Sequence, residues 1–207
     1  MSSIYERLLG DEFNRLHPKL QTRYQLDRTR EFRAEGMMEE VSGGSKPVRW
    51  LLKLGVKFRI FFSERGRDIP FTIRNRVTLD RTGREVVHWD RTFHFGVKQR
   101  FFDAIMMLDD HEQEIIDLFG RPSLLGSTLS FHVDDEGAMH IASKKQWLPL
   151  MGLRVPLPTF LHGKAYIIES YDDQTDEFRI RVHVYNSLVG TLFEYKGSFR
   201  EIEGDQV

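Results

Sequence analysis

Arg91 stands between Trp89 and Phe93 on the apolar parity of a strand, where an unpaired charge is costly. Its guanidinium either grips a carboxylate or phosphate on an otherwise apolar ligand, or pairs internally with a carboxylate such as Asp103 or Glu114, or snorkels to solvent. Asn75, Ser127 and Ser143 fall on the inward parity of their own strands. A solid barrel core seldom holds several polar groups, whereas a ligand cavity does; strands wet on both faces would also accept them. With Trp89, Phe93, Phe131 and Tyr195 as walls, these residues form a candidate ligand site anchored by Arg91.

Other chemistries find less support. His132 and His140 should face one another across a hairpin, and His88 and His94 share a face. Both pairs sit on polar, outward parities with no HExxH pattern, so they read as surface histidines and no metal is expected. A hydrolase or isomerase using Asp103 with Glu114 ranks last, because no spacing brings them together. The absence of cysteine excludes thiolate catalysis, disulfides and zinc–thiolate centres. The chain also lacks a Gly-rich dinucleotide fingerprint, and no cofactor is expected.

With 30 Lys and Arg against 31 Asp and Glu, the net charge is −1, which gives no global pull toward nucleic acid. Arg49, Lys53 and Lys57 make a cationic stripe opposite Trp50, Leu51 and Leu54; it reads as the solvated face of a packed helix rather than a membrane contact. Trp50 to Phe62 is too short and too charged to span a bilayer, and the first residues lack a signal-peptide pattern. A cytoplasmic protein is expected.

The elements that must position these residues follow from hydrophobic period. Residues 1–62 read as a helical segment. Ser3 and Glu6 have capping-box spacing, a second helix carries Phe13, Leu16, Leu20 and Tyr24, and residues 34–46 look like a loop. A third helix starts near Pro47 and buries Val48, Leu51, Leu52, Gly55 and Phe58. From Ile69 the period falls to 2. Asp80 and Asp134 each precede a three-residue loop ending in Gly83 or Gly137, which sets the registers. Val77 then faces Val87, Asn75 faces Trp89 and Phe71 faces Phe93; Val133 faces Met139, Phe131 faces Ile141 and His132 faces His140. Strands over 100–108 and 114–119, a hairpin of 165–171 with 178–184, and a last strand through Phe193, Tyr195 and Phe199 complete the set. Trp147 to Phe160, with three prolines, reads as a loop or edge excursion.

Roughly nine strands joined by short connections predict an α+β, mainly β fold in one domain, residues 1–207. The sheet (63–207) would be an antiparallel meander forming a lipocalin-like barrel or curved half-barrel, with the N-terminal helices packed on it.

Leu8-Leu9-Gly10, Leu16-His17-Pro18, Gly66-Arg67-Asp68-Ile69-Pro70 and Trp89-Asp90-Arg91-Thr92-Phe93 resemble a bacterial family with a domain of unknown function. Pro156-Leu157-Pro158, Leu188-Val189-Gly190 and Tyr195-Lys196-Gly197 extend the resemblance over nearly the whole chain. In some members this domain is joined to a saccharopine-dehydrogenase-like NAD(P)-binding domain, which the resemblance offers as a partner. Two functions are therefore expected in order: a non-catalytic binding domain for a small amphipathic or lipid-like ligand, and an interaction module that docks on an NAD(P)-binding oxidoreductase domain. An exposed apolar patch on Trp147 to Phe160 would favour the second.

Overall fold

The computed structural model describes residues 2–202, the side chain of residue 51 excepted. The chain opens with α1 (Ile4–Leu9), whose N-cap Ser3 makes the reciprocal capping box with Glu6. A 3-10 turn (Gly10–Arg15) leads to α2 (Pro18–Tyr24), which starts on a proline at its first position. Next come β1 (Phe32–Ser42), α3 (Lys46–Gly55), β2 (Gly66–Leu79) and β3 (Glu85–Phe95). The middle of the chain supplies β4 (Lys98–Phe101), β5 (Ala104–Asp109), β6 (Glu114–Phe119) and β7 (Leu125–Val133). β8 (Met139–Leu150), β9 (Leu153–Pro156), β10 (Lys164–Asp172), β11 (Glu177–Asn186) and β12 (Gly190–Glu201) follow.

Ten of these strands close an antiparallel barrel in chain order, β12 pairing with β1 to complete the circle. Short connections leave each strand beside its predecessor, and closure removes the bare edges an open sheet would carry. The other two strands are side branches: β4 continues along the edge of β3 above β5, and β9 folds back on the end of β8. All six predicted cross-strand pairs are present. Gly83 and Gly137 take φ of +84° and +78° at the ends of their loops.

Three expectations need correction. Residues 34–46 are no loop: most of them belong to β1, so the first 62 residues are not a purely helical segment. Along β1, Phe32, Ala34, Met38 and Val41 are buried, and a bulge between Met38 and Glu40 breaks the alternation. β2 begins at Gly66, ahead of the change of period expected at Ile69. The 100–108 strand is interrupted at Phe102 and Asp103, which separates β4 from β5. Trp147 to Phe160 is an edge excursion, formed by the end of β8, β9 and a 3-10 turn. Pro156 is tolerated because β9 has no second partner, and Pro149 because β8 has there run past the end of its pairing with β7 at Trp147.

Both barrel ends are covered. At one end, α1 and α2 insert Tyr5, Leu20, Arg23 and Tyr24, all fully buried. Across the other mouth runs the connection from β1 to β2. It is tied to β12 by Gly44 N–H donating to the Thr191 carbonyl, and to the far wall by Phe58 and Arg59 carbonyls accepting from Arg121 and Asp103. Phe62 plugs this mouth between Phe93, Phe95 and Phe193. In α3, Val48 and Leu52 are buried, Gly55 is only half-buried, and Trp50 and Leu54 face solvent. The expected burial of Leu51 concerns a side chain outside those described; Phe58, in the 3-10 turn that follows, is also half-buried.

The closure between β1 and β12 depends on two glycines. A Cβ at Gly36 would lie 2.1 Å from the Ser198 carbonyl oxygen, and one at Gly197 2.2 Å from that of Met37. Backbone cannot yield as a flexible side chain does, so Gly197→Ala is expected to lose about 3 kcal/mol, read as a lower urea midpoint. An unchanged midpoint would mean that the two strands separate there at no cost.

Candidate binding site

The predicted inward residues divide between two layers of the interior. Asn75 and Trp89 lie in the helix-covered layer. There the Arg23 guanidinium donates to Glu169 Oε2 and Oε1 at 2.9 and 3.2 Å and to Asn75 Oδ1 at 3.2 Å. Trp89 Nε1 donates to the Tyr5 hydroxyl at 2.9 Å, and the Tyr24 hydroxyl donates to Glu169 at 2.9 Å. This layer is therefore a satisfied plug. Phe131 packs against Tyr5 beside it. Phe93 and Tyr195 belong to the aromatic cluster of the opposite half, with Phe62, Phe71 and Phe193.

Arg91 lies between these layers with neither proposed carboxylate beside it. Asp103 pairs with Arg59 and Arg121, and Glu114 with Lys144. Among the described residues no carboxylate oxygen lies within 4.0 Å of the Arg91 guanidinium. Its Nε donates to the Phe102 carbonyl at 2.9 Å, Nη1 reaches the Tyr195 hydroxyl at 3.4 Å, and the group lies over the Phe102 ring at 4.1 Å. Most of its five N–H donors are thus unspent.

Sequence reasoning missed the second charged group of this layer, Asp117. It occupies the inward parity of β6 between Ile115 and Phe119, opposite Met106 on one side and Ser127 on the other. Its side chain is buried and Oδ1 has no hydrogen-bond partner. Burial pushes its carboxyl up to about 7 from the ordinary 3.8, against a downward pull from Arg91.

Arg91 and Asp117 line one interior cavity of about 40 Å³ with Ser143, Gln146 and, from the connection across the mouth, Phe61. Of the eight predicted residues, Arg91 and Ser143 face this space; Ser127 is buried nearby on β7, its hydroxyl donating to the Thr128 carbonyl at 3.0 Å. The cavity adjoins a seam. β8 and β10 pair only from Met139 to Ala142, beyond which side chains stitch the gap. Gln146 exchanges two bonds with the Gly163 backbone, donating at 2.6 Å and accepting at 3.0 Å, and Ala165 N–H donates to Ser143 Oγ at 2.8 Å. Gln146 also lines an outer groove of about 580 Å³, walled by Trp147, Pro156, Leu157 and Arg154.

The histidines are spread over the surface: His132 meets Glu12, His140 meets Asp134, and His88 Nε2 lies 2.8 Å from Thr78 Oγ1. Among the described residues, no group of three or more His, Asp or Glu side chains is arranged to hold a metal ion.

Fold and site together define an up-and-down antiparallel barrel, plugged at both ends, with an unneutralised polar pair inside. A family model described as a domain of unknown function (DUF4166) matches residues 16–199, and the chain belongs to that family. It is similar to the uncharacterized protein YndH of Bacillus subtilis (strain 168), at 52% identity over 203 residues that cover 98% of each chain.

Proposed function

We propose that this chain is a non-catalytic binding domain for a small amphipathic, lipid-like ligand whose polar head is held between Arg91 and Asp117. One observation carries the reading: a guanidinium with donors to spare and a carboxyl oxygen without a donor line the same buried cavity. Buried polar groups are normally satisfied, and two complementary ones left open are what a bound head group would complete.

Volume limits what goes inside. At about 40 Å³ the cavity holds two or three waters or a small head group, well short of the ~300 Å³ of an ordinary ligand pocket. The apolar tail then runs past Gln146 through the β8–β10 seam into the outer groove. Ser143 and Ser127 serve the head-group end, while Tyr195 orients Arg91. Trp89, Phe93, Phe131 and Asn75 keep the two halves of the interior rigid.

Native mass spectrometry of the protein purified from its own host, followed by denaturing extraction, tests this reading. The expected result is a stoichiometric small amphipathic molecule, lost in Arg91→Met with the unfolding free energy from urea titration held within about 1 kcal/mol. An empty wild-type protein, or a collapse in stability of the variant, would assign Arg91 to structure instead.

A second reading is favoured by the β8–β9 excursion, where Leu150, Met151, Leu153 and Phe160 are exposed. Such a patch suits an interaction module docking on an NAD(P)-binding oxidoreductase domain. Recovery of an oxidoreductase with the empty protein would favour this reading over the first.

A further inference from the structure

The two ends of the barrel carry opposite charge. At the helix-covered end, the four short turns (80–84, 110–113, 134–138 and 173–176) hold eight carboxylate residues and two arginines. Residues 2–31, which cover that end, add five carboxylates and six Lys and Arg, leaving it net acidic. At the other end, five connections (43–65, 96–103, 120–124, 151–163 and 187–189) hold ten Lys and Arg and two carboxylates. Both of those carboxylates are already engaged, Glu64 with Arg100 and Asp103 with Arg59 and Arg121. In a chain of net charge −1 this is a separation of charge along the barrel axis, not a basic composition.

The basic end is also the one that exposes apolar side chains. Trp50 on α3, Val97 at the β3–β4 tip, Met151 and Leu153 in the β8–β9 turn and Leu188 between β11 and β12 are between 66% and 102% exposed. They rise on four separate connections. On α3, Trp50 and Leu54 lie one turn apart, with exposed Lys46, Arg49, Lys53 and Lys57 around them.

Against the expectation of a solvated cationic stripe set opposite Trp50 and Leu54, α3 keeps both residues exposed among its lysines. We infer that this end of the barrel docks on an anionic lipid bilayer, α3 lying in the headgroup layer with Trp50 and Leu54 inserted. Bilayers are the partner that takes both features together: anionic headgroups neutralise the lysines and arginines, and separate apolar tips enter between lipids without needing a complementary surface. Tryptophan suits that depth, with an apolar ring and one N–H. Nucleic acid would answer the charge and leave the apolar tips wet. Docking also sets the connection 43–65, which spans the mouth and contributes Phe61 to the cavity, against the membrane. For a barrel that holds a lipid-like ligand this names the bilayer as its source, a step that rests on the binding reading, whereas docking itself does not.

The test is co-sedimentation of the full chain with vesicles of phosphatidylcholine alone or with phosphatidylglycerol added, together with tryptophan emission. Trp89 and Trp147 are buried, so a blue shift reports Trp50. Binding is expected only with the anionic lipid, with a blue shift and loss at high salt. Lys53→Gln/Lys57→Gln should bind roughly 30-fold more weakly. Met151→Ser/Leu153→Ser, on a different connection, should also weaken binding. All these positions are exposed, so unfolding midpoints should not move, which separates lost docking from lost folding. Failure to sediment with anionic vesicles at low salt, equal binding by both double variants, or tighter retention of a single-stranded oligonucleotide or an acidic protein would overturn the proposal. An empty barrel that still sediments overturns the ligand reading alone; a loaded barrel that ignores anionic vesicles overturns docking alone.

Discussion

Arg23→Met is expected to destabilise the protein by about 3–5 kcal/mol, the range seen when one member of a buried ion pair is removed. Arg23 and Glu169 are each 1% exposed, and the guanidinium contacts both carboxylate oxygens. Removing it leaves Glu169 buried with the Tyr24 hydroxyl as its remaining side-chain donor, and leaves Asn75 Oδ1 without its 3.2 Å donor. The guanidinium also sits 4.3 Å from the Phe32 ring and 5.1 Å from those of Trp89 and Phe199, contacts that methionine keeps only as dispersion. The double variant Arg23→Met/Glu169→Met should recover most of the loss, because the desolvation of both charges disappears together. Urea unfolding at neutral pH with a double-mutant cycle measures this. A coupling energy below about 0.5 kcal/mol would show that α2 is held by its apolar side chains alone.

Asp117→Asn is expected to do the opposite, stabilising the protein at pH 8 and leaving it unchanged near pH 4. Below 3.8 the carboxyl is protonated in folded and unfolded chains alike, and the site contributes no pH dependence. Between 3.8 and about 7 the unfolded chain gives up the proton while the folded chain keeps it, so wild-type stability falls as pH rises. Above about 7 both forms are ionised and the penalty is constant. The three-unit separation sets its ceiling at about 4 kcal/mol. Asparagine has no such window, so its advantage should grow from near zero at pH 4 to its full size by pH 8. A difference that stays flat over this range would mean that Asp117 is solvated through the seam. Arg91 places a cation near the same carboxyl, so a ligand that occupies the guanidinium should enlarge the pH effect, while one that donates to Asp117 should shrink it.

Barrel, hairpin registers and the inward position of Arg91 were legible because each rests on a local pattern: alternation, a loop ending in glycine, a charge on an apolar parity. β1 was not, for an equally local reason. Its inward positions include Ala34 and Gly36, too small to register as an apolar stripe, and the bulge at Met38–Glu40 reverses the parity before Val41. Asp117 obeys the rule that singled out Arg91, since it stands on the parity of Ile115 and Phe119; the flanking Ile116 and Leu118 made that strand look apolar on both faces and hid the exception. Arg23 on the face of Leu20 and Glu169 on the parity of Ile167 carry the same signal singly. That they answer one another depends on α2 covering a mouth bounded by β10, a contact 146 positions apart that no local spacing expresses. The charge separation between barrel ends likewise needs only the strand order, which tells which connections share an end.

Closure between β12 and β1 also bears on how the chain is made. β1 leaves the ribosome ahead of the rest of the sheet and obtains β2 on one side almost at once, but its other neighbour, β12, is the last strand of the barrel to follow. At ~5–20 residues per second, the stretch from Ser42 to Gly190 takes on the order of ten seconds. Throughout that interval the nascent sheet offers a bare hydrogen-bonding edge to other chains. Arg33, Glu35, Glu39 and Glu40 lie along it, and charges on such an edge discourage intermolecular pairing. The acidic and basic residues of β1 then serve the growing polypeptide before they serve the folded one, guarding a strand whose partner has yet to be translated.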